Sequence, residues 1–104
     1  MEDFDATLKF LRKKFPCALP VRVRRVDKKP DVHGITYRTY GNKQIFEIYI
    51  VRGCITCMVA TLLHEWAHAR VWSLRHDHEE DPEFHDAAWG AEHARIYCAV
   101  YNTK

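Results

Sequence analysis

The chain has no run of about 18 consecutive apolar residues, which excludes a transmembrane helix and, with it, a membrane partner. Its N-terminus, MEDFDATLKF, is acidic and amphipathic, unlike a signal peptide, so an intracellular, cytoplasmic location is expected. Glycine and proline number only four each in 104 residues, and there is no repeat or low-complexity segment. A single globular domain over residues 1–104 is therefore expected. Cysteine is also sparse, at four: Cys17, Cys54, Cys57 and Cys98. Only Cys54-Ile-Thr-Cys57 forms a C-x-x-C. No second pair completes a four-cysteine zinc site, and no thioredoxin-like β-α-β pattern surrounds it, which leaves a thiol-redox role without support. The thiols are expected to be free and buried or partly buried, with Cys57, near a helix start, placed for a lowered pKa.

A strong net charge is missing too. Hydrophobic residues make up 47% and charged residues 29%, with a net charge of +2, ordinary for a globular domain. The charge is unevenly spread: residues 1–52 carry twelve Lys/Arg against six Asp/Glu, and residues 53–104 carry four against eight. Six of the seven histidines follow residue 63. Histidine this dense invites a metal reading.

Hydropathy patterning predicts the order α-β-β-β-α-α. In residues 3–15, Phe4, Leu8, Leu11 and Phe15 recur at helical spacing, and Pro16 and Pro20 end the helix. VRVRRV (21–26) turns Val21 and Val23 inward and Arg22 and Arg24 outward, as a half-buried strand does. ITYRTY (35–40) and QIFEIYIV (44–51) are rich in β-branched and aromatic residues, and Gly41-Asn42 suits a hairpin turn between them. From about Cys54 to Leu74 the pattern is helical and apolar nearly all round, which predicts a buried helix. After the acidic loop RHDHEEDPE, Asp81-Pro82-Glu83 reads as the start of a last helix running to about Tyr101. The fold class is α+β: an N-terminal helix, a small three-stranded sheet, a motif-bearing helix and a C-terminal helix.

The greasy helix carries three polar residues, His64, Glu65 and His68, in the spacing H-E-x-x-H. Residues i and i+4 lie one above the other on a helical face, so His64 and His68 can bind one Zn²⁺, at about 2.0–2.1 Å each. Glu65 projects about 100° away, beside the metal, where a general base belongs. Zinc lowers the pKa of a bound water to about 7, and Glu65 would take its proton as the water attacks a peptide carbonyl. Surface histidines on an amphipathic helix are the bland alternative, and there is no polar face to hold them.

A catalytic zinc wants a third protein ligand and an open fourth position. The metzincin spacing is excluded, because Val71 and Leu74 stand where its glycine and third histidine would be. His76 and His78 fall in the acidic loop; a helix continued to His76 would carry it about 12 Å along the axis from His68. His85 is the leading candidate, in the first turn of the last predicted helix, with Trp89, Glu92 and Ile96 continuing its face. Glu92 would be the ligand if this were a gluzincin. His93, off that stripe, reads as a surface residue or one supporting the ligands from behind. Tyr97 and His93 are both candidates to donate to a developing oxyanion.

HEWAHARVW followed by FHDAAWG resembles the SprT-like metallopeptidase family, including its short phage-borne members, over about residues 55–100. The family carries H-E-x-x-H-A, a loop, and then H-G-x-x-[FW] on the next helix. His64, Glu65, His68 and Ala69 match the first part, and His85 and Trp89 the second, with Asp86 in place of the usual glycine. The resemblance implies a minimal zincin-like fold, Zn²⁺ held by His64, His68 and His85, and Glu65 as catalytic base. It further implies a protein or peptide substrate whose extended segment pairs with a sheet-edge strand, FEIYIV. A short member lacking the family's C-terminal zinc ribbon is expected, and the phage-type likeness carries an expectation of action in a host cell. Some members act on proteins attached to DNA. That would give the basic residues Arg22, Arg24, Arg25, Lys28 and Lys29 a partner, although a basic strand with no stacking aromatics is ordinarily a solvated face.

The leading expectation is thus a zinc-dependent endopeptidase. Its alternative is a non-catalytic, zinc-stabilised binding module associated with DNA or a host protein, since structural zinc can contribute about 10–16 kcal/mol to a small domain. Glu65 argues against the alternative, because a structural site needs no carboxylate there.

Overall fold

In a computed structural model, described over residues 3–27, 33–39, 42–74 and 87–102, the elements follow the predicted order. Helix α1 spans Phe4–Lys14, strands β1, β2 and β3 span Val21–Val26, Gly34–Arg38 and Phe46–Val51, and helices α2 and α3 span Ile55–Leu74 and Ala87–Tyr101. Asp3 caps α1 by accepting from the Asp5 and Ala6 amides at 2.9 and 3.5 Å, and Arg12, Lys13 and Lys14 close its last turn. Acid at the start and base at the end match the helix dipole.

The sheet order is β1-β3-β2. β2 and β3 form the expected antiparallel hairpin, with Gly34 opposite Ile50 and Arg38 opposite Phe46. β3 then lies beside β1 in parallel, from Val21 opposite Phe46 to Val26 opposite Val51. The expectation that FEIYIV is an edge strand is therefore corrected: β3 is the central strand, and its backbone groups are committed on both sides. Its side chains explain the position. Phe46, Ile48 and Ile50 are at most 1% exposed and face the helices, while Glu47, Tyr49 and Val51 stay half-buried. Alternation of period two gives a strand two unequal faces.

One hydrophobic cluster joins all three layers: Phe4, Leu11 and Phe15 around α1, Phe46, Ile48 and Ile50 from β3, and Val59, Leu62, Leu63, Trp66 and Ile96 from α2 and α3. α2 is the central rod, packed on the sheet and on both other helices. Trp66 is buried, and its indole N–H donates to the Phe15 carbonyl at 2.8 Å. At the same seam Arg70 donates to the Pro16 carbonyl and to Glu92, tying the end of α1 to α2 and α3. Among the described residues no helix is long and apolar enough to cross a membrane.

Candidate metal centre

The polar trio sits in the middle of α2, between the sheet and α3. His68 is 5% exposed and Glu65 6%, whereas the His64 side chain, at 36%, reaches the surface. The two imidazoles lie on successive turns of one face with ring centroids 5.0 Å apart, as the i, i+4 spacing requires. Trp89 of α3 packs against both, 4.8 Å from His64 and 5.4 Å from His68, and its indole N–H points to the His64 carbonyl at 3.4 Å. α3 is thereby seated over the imidazole pair.

Glu65 is positioned by the sheet. The Thr36 hydroxyl donates to Glu65 Oε1 at 2.7 Å and also approaches its backbone carbonyl at 3.1 Å. The other carboxylate oxygen, Oε2, lies 3.9 Å from His64 Nε2. β2 approaches α2 this closely because residue 34 is glycine. A Cβ there would stand 2.5 Å from Thr61 Cγ2 and 3.1 Å from Glu65 Cγ. Sequence reasoning missed Gly34 and Thr36, although period two puts both on one face of their strand. An inward threonine in an otherwise apolar core was the available signal.

Glu92, the gluzincin alternative, is occupied elsewhere. It is 4% exposed, Arg70 Nε holds its Oε2 at 2.8 Å, and Arg95 Nη1 holds its Oε1 at 2.6 Å. Both oxygens serve the ion pairs at the α1–α2–α3 seam, which takes this side chain out of the ligand set. His93 lies nearer the trio than its sequence position suggested: its ring stacks flat on Trp89 at 4.8 Å and comes within 6.1 Å of His64. Tyr97 is one ring further along the stripe, 6.2 Å from His93 and half exposed.

His85, His76 and His78 lie outside the described residues, as do the predicted N-cap Asp81 and the helix start at Pro82. Among the described residues no group of three or more His, Cys, Asp or Glu is arranged to hold a metal. A cleft of about 460 Å³ is lined by Arg12, Pro16, Cys17, Leu19, Pro20 and Trp66 and by neither His64 nor His68. Of the basic strand residues, Arg22 pairs with Glu47 at 3.7 Å, and Arg25 pairs with Asp5 at 3.9 Å while lying over the Phe4 ring. Lys28 and Lys29 lie outside the described residues.

No protein-family model matches the chain, and no curated protein matches it in sequence.

Proposed function

We propose that the chain is a zinc-dependent metallopeptidase of the SprT-like, zincin-like kind, with His64, His68 and His85 as metal ligands and Glu65 as catalytic base. One observation carries this reading. Two imidazoles on successive turns, in edge-to-face contact, and a buried carboxylate share the middle of a core helix, and a strand hydroxyl orients the carboxylate beside them. Imidazoles at i and i+4 on one helical face are spaced to bind a single zinc ion. The donor set fits that metal: neutral imidazole nitrogens on successive turns, with the carboxylate held beside them rather than between them.

His85 precedes Trp89 by four residues, and Trp89 is the side chain that rests on both imidazoles. Glu92 is engaged by two arginines, and His85 is the third donor that the resemblance to the family motif implies. Bound zinc would supply Lewis acidity and lower the pKa of a water to about 7. Glu65 would act as the proton acceptor through the oxygen turned toward His64, while Thr36 fixes the other oxygen. Of the two oxyanion candidates, His93 lies closer to the histidine pair than Tyr97 does.

Peptide docking falls to β2 rather than β3. β2 is an edge strand, antiparallel to its neighbour, and its Thr36 touches the catalytic carboxylate. An extended substrate adding to that edge would lie along the trio, with main-chain hydrogen bonds for affinity.

The test is zinc content by plasma mass spectrometry together with hydrolysis of an unstructured protein such as casein. About one zinc per chain is expected in the wild type, with loss in His64→Ala, His68→Ala and His85→Ala. Glu65→Gln should keep the zinc and lose hydrolysis. Zinc bound by the wild type without hydrolysis would favour the zinc-stabilised binding module, and zinc retained by His85→Ala would move the third ligand to His76 or His78.

A further inference from the structure

The C-x-x-C lies at the other end of α2, and the structure corrects the expectation of buried thiols there: Cys54, Cys57 and Cys98 are exposed, and only Cys17 is partly covered. The Cys54 carbonyl accepts from the Met58 amide at 2.9 Å, the first turn of the helix, so Cys54 is its N-cap. Its sulfur takes the place of the usual capping oxygen and accepts from the Cys57 amide at 3.2 Å. That bond draws the two side chains together, with sulfurs 2.7 Å apart and open to solvent.

We propose that Cys54 and Cys57 are a thiol–disulfide exchange site, reversibly oxidised by a low-molecular-weight disulfide, with Cys54 as the attacking sulfur. The Cys54 thiolate attacks one sulfur of the disulfide RS–SR, forming Cys54–S–S–R and releasing RS⁻. Cys57, deprotonated in turn, attacks the Cys54 sulfur, closing the Cys54–Cys57 disulfide and releasing the second RS⁻. The two protons lost by the protein thiols end on the two RS⁻ groups, so the chain is oxidised by two electrons and RS–SR is reduced to two RSH.

The division of roles follows from the hydrogen bonds. Cys54 is held below the ordinary thiol pKa, first by the hydrogen bond from the Cys57 thiol and then by the Cys57 amide. Cys57 is pushed up, first by that hydrogen bond to Cys54 and then by the charge on Cys54. The expectation that Cys57 would be the acidic thiol is thus reversed, because the N-cap position receives the amide hydrogen bonds and the third helical position supplies one. The pair is seven to ten residues upstream of His64 and is built independently of the metal reading.

The experiment equilibrates the full chain at pH 7 with reduced and oxidised glutathione in varied ratio, blocks remaining thiols with N-ethylmaleimide, and locates the products by intact mass and peptide mapping. Two thiols should be lost together as an internal Cys54–Cys57 disulfide, and excess reduced glutathione should restore them. Cys57→Ser should stop at a mixed disulfide on Cys54. In Cys54→Ser, Cys57 should react no faster than Cys98, the exposed internal reference. Even modification of Cys54, Cys57 and Cys98 with no internal bond would overturn the proposal, as would trapping on Cys57 in Cys54→Ser faster than on Cys54 in Cys57→Ser. Neither readout depends on zinc or on hydrolysis.

Discussion

Glu65 and Glu92 are buried to nearly the same degree, at 6% and 4% exposed, yet their surroundings give them different work. Glu92 sits where three helices meet, and each of its oxygens takes a guanidinium, Arg70 on one side and Arg95 on the other. Glu65 sits where α2 meets the sheet, with a neutral hydroxyl on one oxygen and the His64 imidazole 3.9 Å from the other. A carboxylate bound by two cations is a fixed structural charge, and removing it strands those cations. A carboxylate aligned by a hydroxyl beside an imidazole pair is oriented for chemistry. Burial alone does not separate the two; the charge of the partners does.

The sharpest way to break this comparison is to neutralise each carboxylate in turn. Glu65→Gln should lower peptide hydrolysis by about 10²- to 10⁴-fold, with zinc content and thermal midpoint nearly unchanged. Glu92→Ala should do the reverse, lowering unfolding free energy by about 2 kcal/mol in urea titrations, a figure discounted because Arg95 is largely in solvent. If Glu65→Gln unfolds the chain and Glu92→Ala does not, their roles have been exchanged. Next in size, Gly34→Ala should cost about 1–2 kcal/mol by forcing β2 away from α2, and pairing it with Thr61→Ser, which deletes the clashing methyl, should recover part of the loss. Smallest, Thr36→Val should cost about 1 kcal/mol of stability and reduce hydrolysis by about tenfold while leaving KM in place. Equal activity in Thr36→Val would mean that the hydroxyl merely fills a polar gap.

Much of the architecture was legible in the sequence. Strand β1 was delimited by VRVRRV itself, and α2 by the apolar run between Cys54 and Leu74, because period and composition report faces and lengths directly. Neighbour relations were not legible. Phe46, Ile48 and Ile50 declare an inward face, but nothing in that alternation says whether strands lie on one side or both, so β3 was misplaced at the edge. The histidine pair and Glu65 could be read from local helical geometry. Thr36 could not be tied to Glu65, since that contact spans 29 residues and depends on how β2 seats against α2. The cysteines misled for a related reason: free thiols are ordinarily buried, and the segment from Cys54 read as a helix apolar nearly all round, but the first turn of α2 is exposed, with Ile55 at 54%.

The sheet order also gives the arginines of β1 a task that requires no nucleic acid. Among the described residues β1 and β2 are the outer strands, and natural sheets guard such margins with charge. β1 carries Arg22, Arg24 and Arg25, with Glu47 and Asp5 against the first and last, so that margin is lined with charged side chains. β2 carries Gly34, Ile35, Thr36 and Tyr37, with Arg38 only at its end, and has no such guard. The two margins of the sheet are therefore unequal, one lined with charge and the other, which touches Glu65 through Thr36, nearly without it.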